Sequence, residues 1–190
     1  MQRVILKHPD PRLKKVCAAV TEITGEVKAL ARDMLETMYE APGVGLAAPQ
    51  VGEMQRLFVM DCVKDPELAP CPMVLINPQV VWVSDEKATY EEGCLSIPDV
   101  YYEVERPAVV RVRWTDLSGK DQEEEFSGLW ATCAQHEIDH LDGRLFIDYL
   151  GPMKRQMITR KMEKLKREMA RGDFRGEGRG DARGDVRGTK

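Results

Sequence analysis

The sequence predicts an α+β fold. Small antiparallel sheets pack around a central metal-binding helix, and a C-terminal helix and a disordered tail follow. Three observations carry this prediction. Several β-prone segments occupy the middle of the chain, and two of them, around 109–126, are joined by a short turn as neighbouring antiparallel strands require. A later segment sets His136 and His140 four residues apart, one helical turn, on a single face. After Gly151 the sequence becomes basic and apolar residues recur at helical spacing; it then lapses into a four-residue repeat. At 190 residues the chain fits one domain with a real core. We divide it into a body over 1–150, a basic helix over 151–170 and a repeat tail over 171–190.

In chain order, Asp10-Pro11 reads as a cap and first-turn proline opening a short helix through Val16. Thr24 caps a second helix with Val27, Leu30, Met34 and Met38 at helical spacing, stopped by Pro42-Gly43. Gly43 to Gly52 is dominated by small residues that let another group approach the main chain, with Gln50 its one long polar side chain. It lacks the Lys and Ser/Thr of a phosphate-cradling loop, and the ordinary alternative is a turn into a buried strand. Arg56 to Met60 and Val74 to Val83 read as strands, the second bent or placed at an edge by Asn77-Pro78. Val63 to Pro72 holds three prolines and reads as a loop. Val109 to Trp114 alternates apolar and basic residues, and Asp121 to Phe126 returns after a turn at Gly119, giving a hairpin with one wet face.

The densest chemistry lies in Gln135 to Gly143, on a helix expected from about Gly128 to Leu141 and stopped at Gly143. Two imidazoles one turn apart reach a single cation, and Glu137 beside the first can handle the proton of a metal-activated water. The chain has three histidines in all, so their pairing at this spacing is informative. A catalytic centre of this kind needs a third protein ligand. Cys94, in Glu91 to Pro98, follows Gly93 and is a good soft ligand, although a lone cysteine is more often a small buried hydrophobe. Cys133 lies on the histidine side of the same helix and lines the site at most. Cys17, Cys62 and Cys71 occupy helical, strand-end and proline-rich settings. Leu129, Thr132 and Cys133 either wall a pocket or pack on the sheet.

From Met153 to Met169 a helix is expected, with Ile158, Met162, Leu165 and Met169 as its apolar stripe. Residues from Gly151 onward carry 13 Lys and Arg against 6 Asp and Glu, leaving a net −11 on the first 150 residues. A basic end on an acidic body suggests an electrostatic partner, with a solvated surface helix as the alternative. The repeat RGDF, RGEG, RGDA, RGDV, RGTK is glycine-rich and poor in apolar surface. No apolar run reaches membrane-span length, the N-terminal stretch does not read as an export signal, and five cysteines follow no repeating spacing. A cytoplasmic, reduced, monomeric protein with no membrane association is expected.

Taken together, Gly43 to Gly52, Glu91 to Pro98 and Gln135 to Gly143 resemble, in order and separation, the three motifs of the bacterial peptide deformylases. The match covers roughly residues 1 to 165. The resemblance implies Cys94, His136 and His140 as metal ligands and Glu137 as general acid/base. It implies Gln50 and the Leu95 N–H as oxyanion donors, Gly45 as a substrate contact, and one divalent ion, Fe2+ first, with Zn2+, Ni2+ or Co2+ as substitutes. Its substrates are N-formylmethionyl nascent peptides, deformylated to release formate. A methionine-sized pocket is then expected from Val44, Tyr90, Leu129, Thr132 and Cys133. Arg106 is expected to pair with Glu92 behind the cysteine. Tyr101 stands where many members carry arginine. The competing readings are a metallopeptidase with the same helix, which wants a downstream His or Glu as third ligand, and a non-catalytic ribosome-associated protein docked through its basic C-terminal helix.

Overall fold

The computed structural model describes residues 1–171; the repeat tail expected from Arg171 lies, from residue 172 on, outside the described residues. In chain order the elements are α1 (Gly25–Glu40), β1 (Gly45–Ala47), β2 (Leu57–Met60), β3 (Met73–Val83), β4 (Lys87–Cys94), β5 (Ile97–Pro107), β6 (Val109–Thr115), β7 (Asp121–Ser127), α2 (Gly128–Leu141) and α3 (Pro152–Ala170). Short 3-10 turns at Pro11–Lys14, Ala48–Val51 and Phe146–Tyr149 connect them.

Local chemistry sets the helix starts. The Asp10 carboxylate accepts the Arg12 N–H at 3.0 Å and opens the first turn. That turn ends earlier than Val16, because Lys15 is already extended. Cys17 is correspondingly not helical: it is buried, and its N–H bonds the Leu141 carbonyl at 2.8 Å. The Thr24 hydroxyl caps α1 by accepting the Val27 N–H at 3.4 Å, and Val27, Leu30, Met34 and Met38 are all buried.

Five strands form one antiparallel sheet in the order β1-β2-β3-β6-β7, with β1 at one edge. The bend expected at Asn77-Pro78 is a bulge: the β3–β6 register shifts between Ile76 and Gln79, and Asn77 sits at φ 52°. The Asn77 side chain compensates by accepting from the Val20 N–H and donating to the Val20 carbonyl, both at 2.8 Å. The expected hairpin is β6–β7, paired from Val109↔Ser127 to Thr115↔Asp121.

A second sheet, β4 with β5, was not read from the sequence beyond its tight end at Glu91 to Pro98. Its two long strands pair from Lys87↔Pro107 to Gly93↔Tyr101, and a register shift follows between Gly93 and Cys94. Such shifts re-aim side chains, and Cys94 is the residue affected.

α2 lies between these layers. Ala131, Cys133, Ala134, Ile138 and Leu141 pack on Phe58, Met60, Leu75, Val110, Val112 and Phe126 of the larger sheet. A second cluster joins Ile97, Val100 and Val104 to Leu145–Ile147 and to Ile158 and Met162 of α3. The stripe expected on α3 therefore holds at Ile158, Met162 and half-buried Leu165, whereas Met169 is exposed. α1 covers β1 and β2 in a third cluster. Among the described residues no helix is long and apolar enough to cross a membrane.

Candidate metal centre

His136 and His140 project from the middle and end of α2, with ring centroids 5.0 Å apart. The bulge at the end of β4 brings Cys94 Sγ to 3.3 Å from His140 Nε2. The ligand atoms of Cys94, His136 and His140 all lie within 4.8 Å of one another, the one such group of His, Cys, Asp or Glu among the described residues. Glu163, the first glutamate after His140, is instead exposed on α3 and is not part of this group.

Their surroundings fit a cation. His136 Nδ1 lies 2.8 Å from Glu92 Oε2, which leaves Nε2 free to face the site; burial pulls the His136 pKa down, but the bonds to Cys94 and Glu92 hold it well above the ordinary value. Arg106 grips Glu92 in a fork, Nε to Oε1 at 2.5 Å and Nη2 to Oε2 at 3.0 Å, as expected for that pair. Burial works to raise the Glu92 pKa, but the bonds from His136 and Arg106 hold it below the usual carboxylate range. Burial pushes the His140 pKa well down, keeping the imidazole neutral. One half-buried thiol and two buried imidazoles, with His136 held from behind by Glu92, suit a borderline divalent ion.

Glu137 is 4% exposed, its Oε2 has no hydrogen-bond partner, and burial pushes its pKa up to about 7. Gly45 faces it at the edge strand. A Cβ there would lie 2.5 Å from Glu137 Oε1 and 2.7 Å from Cys133 Sγ, so only glycine fits. Gln50 is buried in the 3-10 turn after β1. Its Oε1 accepts the Ala47 N–H at 2.8 Å, which turns Nε2 toward Ser96 Oγ at 3.2 Å and Cys94 Sγ at 3.6 Å. The Leu95 carbonyl accepts from Lys7 Nζ at 2.5 Å. Lys7, Ser96 and Asp139 were not singled out from the sequence. Ser96 and Asp139 fall inside Glu91 to Pro98 and Gln135 to Gly143, whereas nothing local marks Lys7.

The expected pocket residues divide. Cys133 Sγ bonds the Val44 carbonyl at 3.5 Å, beside Gly45 and Glu137. Thr132 donates to the Gly128 carbonyl at 3.3 Å, and the Tyr90 hydroxyl lies over Gly128 at the start of α2. Leu129 packs, half-buried, on the large-sheet core. A cavity of about 390 Å³ lined by Tyr39, Gly43, Val44, Asp61 and Leu68 takes in Val44 alone of this set. A cleft of about 510 Å³ lies away from the ligands, between α3 and His8 and Lys14.

The sequence model of the polypeptide deformylase family matches residues 2–156. A peptide deformylase of Rhodopseudomonas palustris is 55% identical over 163 residues, covering 85% of this chain and 93% of that protein. One from Novosphingobium aromaticivorans is 49% identical over 183 residues, covering 87% and 97%. The crystal structure of a peptide deformylase from Legionella pneumophila superposes with a TM-score of 0.82 at 45% identity, covering 90% of this chain and 99% of that one. The Ehrlichia chaffeensis enzyme in complex with actinonin gives 0.83 at 37% identity, covering 88% and 99%. With the match running through β1, the β4–β5 turn and α2, the chain belongs to the polypeptide deformylase family of hydrolases.

Proposed function

We propose that this protein removes the formyl group from N-formylmethionyl nascent polypeptides and releases formate. The observation that carries the reading is the convergence of Cys94, His136 and His140, with buried, unpartnered Glu137 beside them. Cys94, His136 and His140 would hold one divalent cation, Fe2+ first and Zn2+, Ni2+ or Co2+ as substitutes. When bound, it supplies a Lewis acid that polarises the formyl carbonyl and makes water acidic enough to attack near neutrality.

The chain's own groups do the rest. Glu137 takes the proton of the attacking water and returns it to the leaving amine of methionine. Gln50 Nε2 and the Leu95 N–H donate to the oxygen that gains charge as the formyl carbon becomes tetrahedral. Loss of one such donor costs about 10²–10³ in rate. The held amide of Gln50 supports this, since its Oε1 is occupied by Ala47 and Nε2 is the end facing the site. Gly45 gives the substrate backbone access to Glu137. Val44, Tyr90, Leu129, Thr132 and Cys133 shape the methionine site.

The test is formate release from formyl-Met-Ala-Ser, anaerobically, with Fe2+ and Zn2+ compared. Formate production that disappears in Glu137→Gln supports the reading. Cleavage of the Met-Ala bond without formate would instead favour the metallopeptidase. We place the enzyme in the cytoplasm as a monomer. α3 adds a second contact, to the ribosome, through a solvent face rich in Lys and Arg and carrying exposed Met153 and Met157.

A further inference from the structure

Behind His136 the polar network does not stop at Glu92 and Arg106. Arg106 Nη1 also donates to Asp139 Oδ2 at 2.8 Å, and the Tyr149 hydroxyl donates to the same oxygen at 2.9 Å. Arg106 Nη1 reaches the Tyr149 oxygen at 3.3 Å, and its guanidinium lies 4.7 Å from the centre of the Tyr149 ring. Glu92, Arg106 and Asp139 are buried, while Tyr149 is half exposed with its hydroxyl turned inward. Four elements meet here: β4 through Glu92, β5 through Arg106, α2 through His136 and Asp139, and the 3-10 turn Phe146–Tyr149.

One guanidinium thus serves two carboxylates. Its fork must stay on Glu92 for Glu92 to stay aimed at His136 Nδ1. A second carboxylate at 2.8 Å competes for the same cation. The Tyr149 hydroxyl satisfies part of Asp139, and its ring closes the solvent side of Arg106. The neighbouring carboxylates hold the guanidinium pKa above its ordinary value, against the pull of burial.

We infer that Tyr149 is a positioning residue for the metal centre: by sharing Asp139 and covering Arg106, it keeps Glu92 locked on His136 and so slows loss of the cation. The inference rests on the metal reading of Cys94, His136 and His140. Groups that orient a ligating histidine are worth about 10–100-fold in metal affinity. Tyr149 acts one layer further out, so a smaller effect is expected.

The experiment follows Zn2+ transfer from loaded full-length protein to a chromophoric chelator. Tyr149→Phe, which keeps the ring, should release zinc about threefold faster than wild type, and Tyr149→Leu, which loses ring and hydroxyl, about fivefold faster. Because Tyr149 works through Glu92, Tyr149→Phe should add nothing in a Glu92→Gln background. A melting-temperature loss without faster release in Tyr149→Phe would mark a merely structural role and overturn the inference, as would equal acceleration in both backgrounds. A wild-type protein that takes up no zinc would overturn the metal centre itself, and the brace with it. Zinc held normally by wild type and released at the wild-type rate by both variants would sink the brace alone.

Discussion

Two glycines near the centre look alike in the sequence and differ in what surrounds them. At Gly45 an added Cβ meets Glu137 and Cys133, both buried side chains of α2. At Gly93 it meets the Tyr101 ring at 2.5 Å, but Tyr101 is 62% exposed and free to swing. Gly45→Ala is expected to lower formate release by about 10²-fold, the cost of displacing a catalytic group by about an ångström. It should also destabilise the protein by about 1–3 kcal/mol through overpacking. Gly93→Ala should fall well short of both, and assays of formate release and urea midpoint on the two variants check the contrast. His8 supplies a pH prediction. Burial first, and Lys14 second, lower its pKa below the ordinary value, opposed by Asp148 and Glu163. Near pH 6 the unfolded chain therefore binds more protons than the folded one, so stability present above pH ~6.5 falls as pH drops below it. Urea midpoints from pH 7.5 to 5.5 should decline less steeply in His8→Asn than in wild type. The residues that converge at the candidate centre were legible because their types and spacing are rare: His136, Glu137 and His140 on one helix, Cys94 after a glycine. Ser96 and Lys7 were not, because a serine and a lysine gain meaning only from what the fold brings to them.

At the scale of elements, the bulge in β3 holds a strained residue by two bonds to a distant strand of backbone. Asn77→Ala removes both bonds to Val20 and keeps the positive φ. About 1 kcal/mol for each bond and about 1 for the backbone give an expected loss of about 2–3 kcal/mol, read from denaturant unfolding. Asn77→Gly relieves the strain and should cost less. α1, α2 and the β6–β7 hairpin were readable from periodicity, and α2 ends where Gly143 permits. Gly143 has φ 72° and would drive a Cβ to within 2.7 Å of the Lys14 carbonyl. The β4–β5 pair escaped because many of its outward residues are charged, Glu91, Glu103 and Glu105 among them, which masks the alternation of buried Val100 and Val104. Its pairing is also long-range in effect: it buries one face only because α3 and the 146–149 turn cover it.

Over the whole molecule, α3 has two duties that a deletion would confuse. Ile158 and Met162 close a core cluster, while Lys and Arg line the other face. Removing the helix would therefore unfold the second cluster and say nothing of docking. Changing exposed Arg160, Lys164 and Lys166 to Glu leaves the core intact. It is expected to weaken co-sedimentation with ribosomes at low salt, with formate release from a short peptide unchanged; equal sedimentation would remove the docking proposal. A different kind of linkage runs through the centre of the fold. Cys94 belongs to the small sheet and its cluster, whereas His136 and His140 stand on the helix that caps the large sheet. An ion shared by these three side chains would be a rivet through two separately cored halves, closing a long excursion of chain between residues 94 and 136. Its withdrawal by a chelator should lower the melting temperature in proportion to how tightly the ion was held. Amide exchange should then quicken first across residues 87–107, the leaf that the rivet pins down.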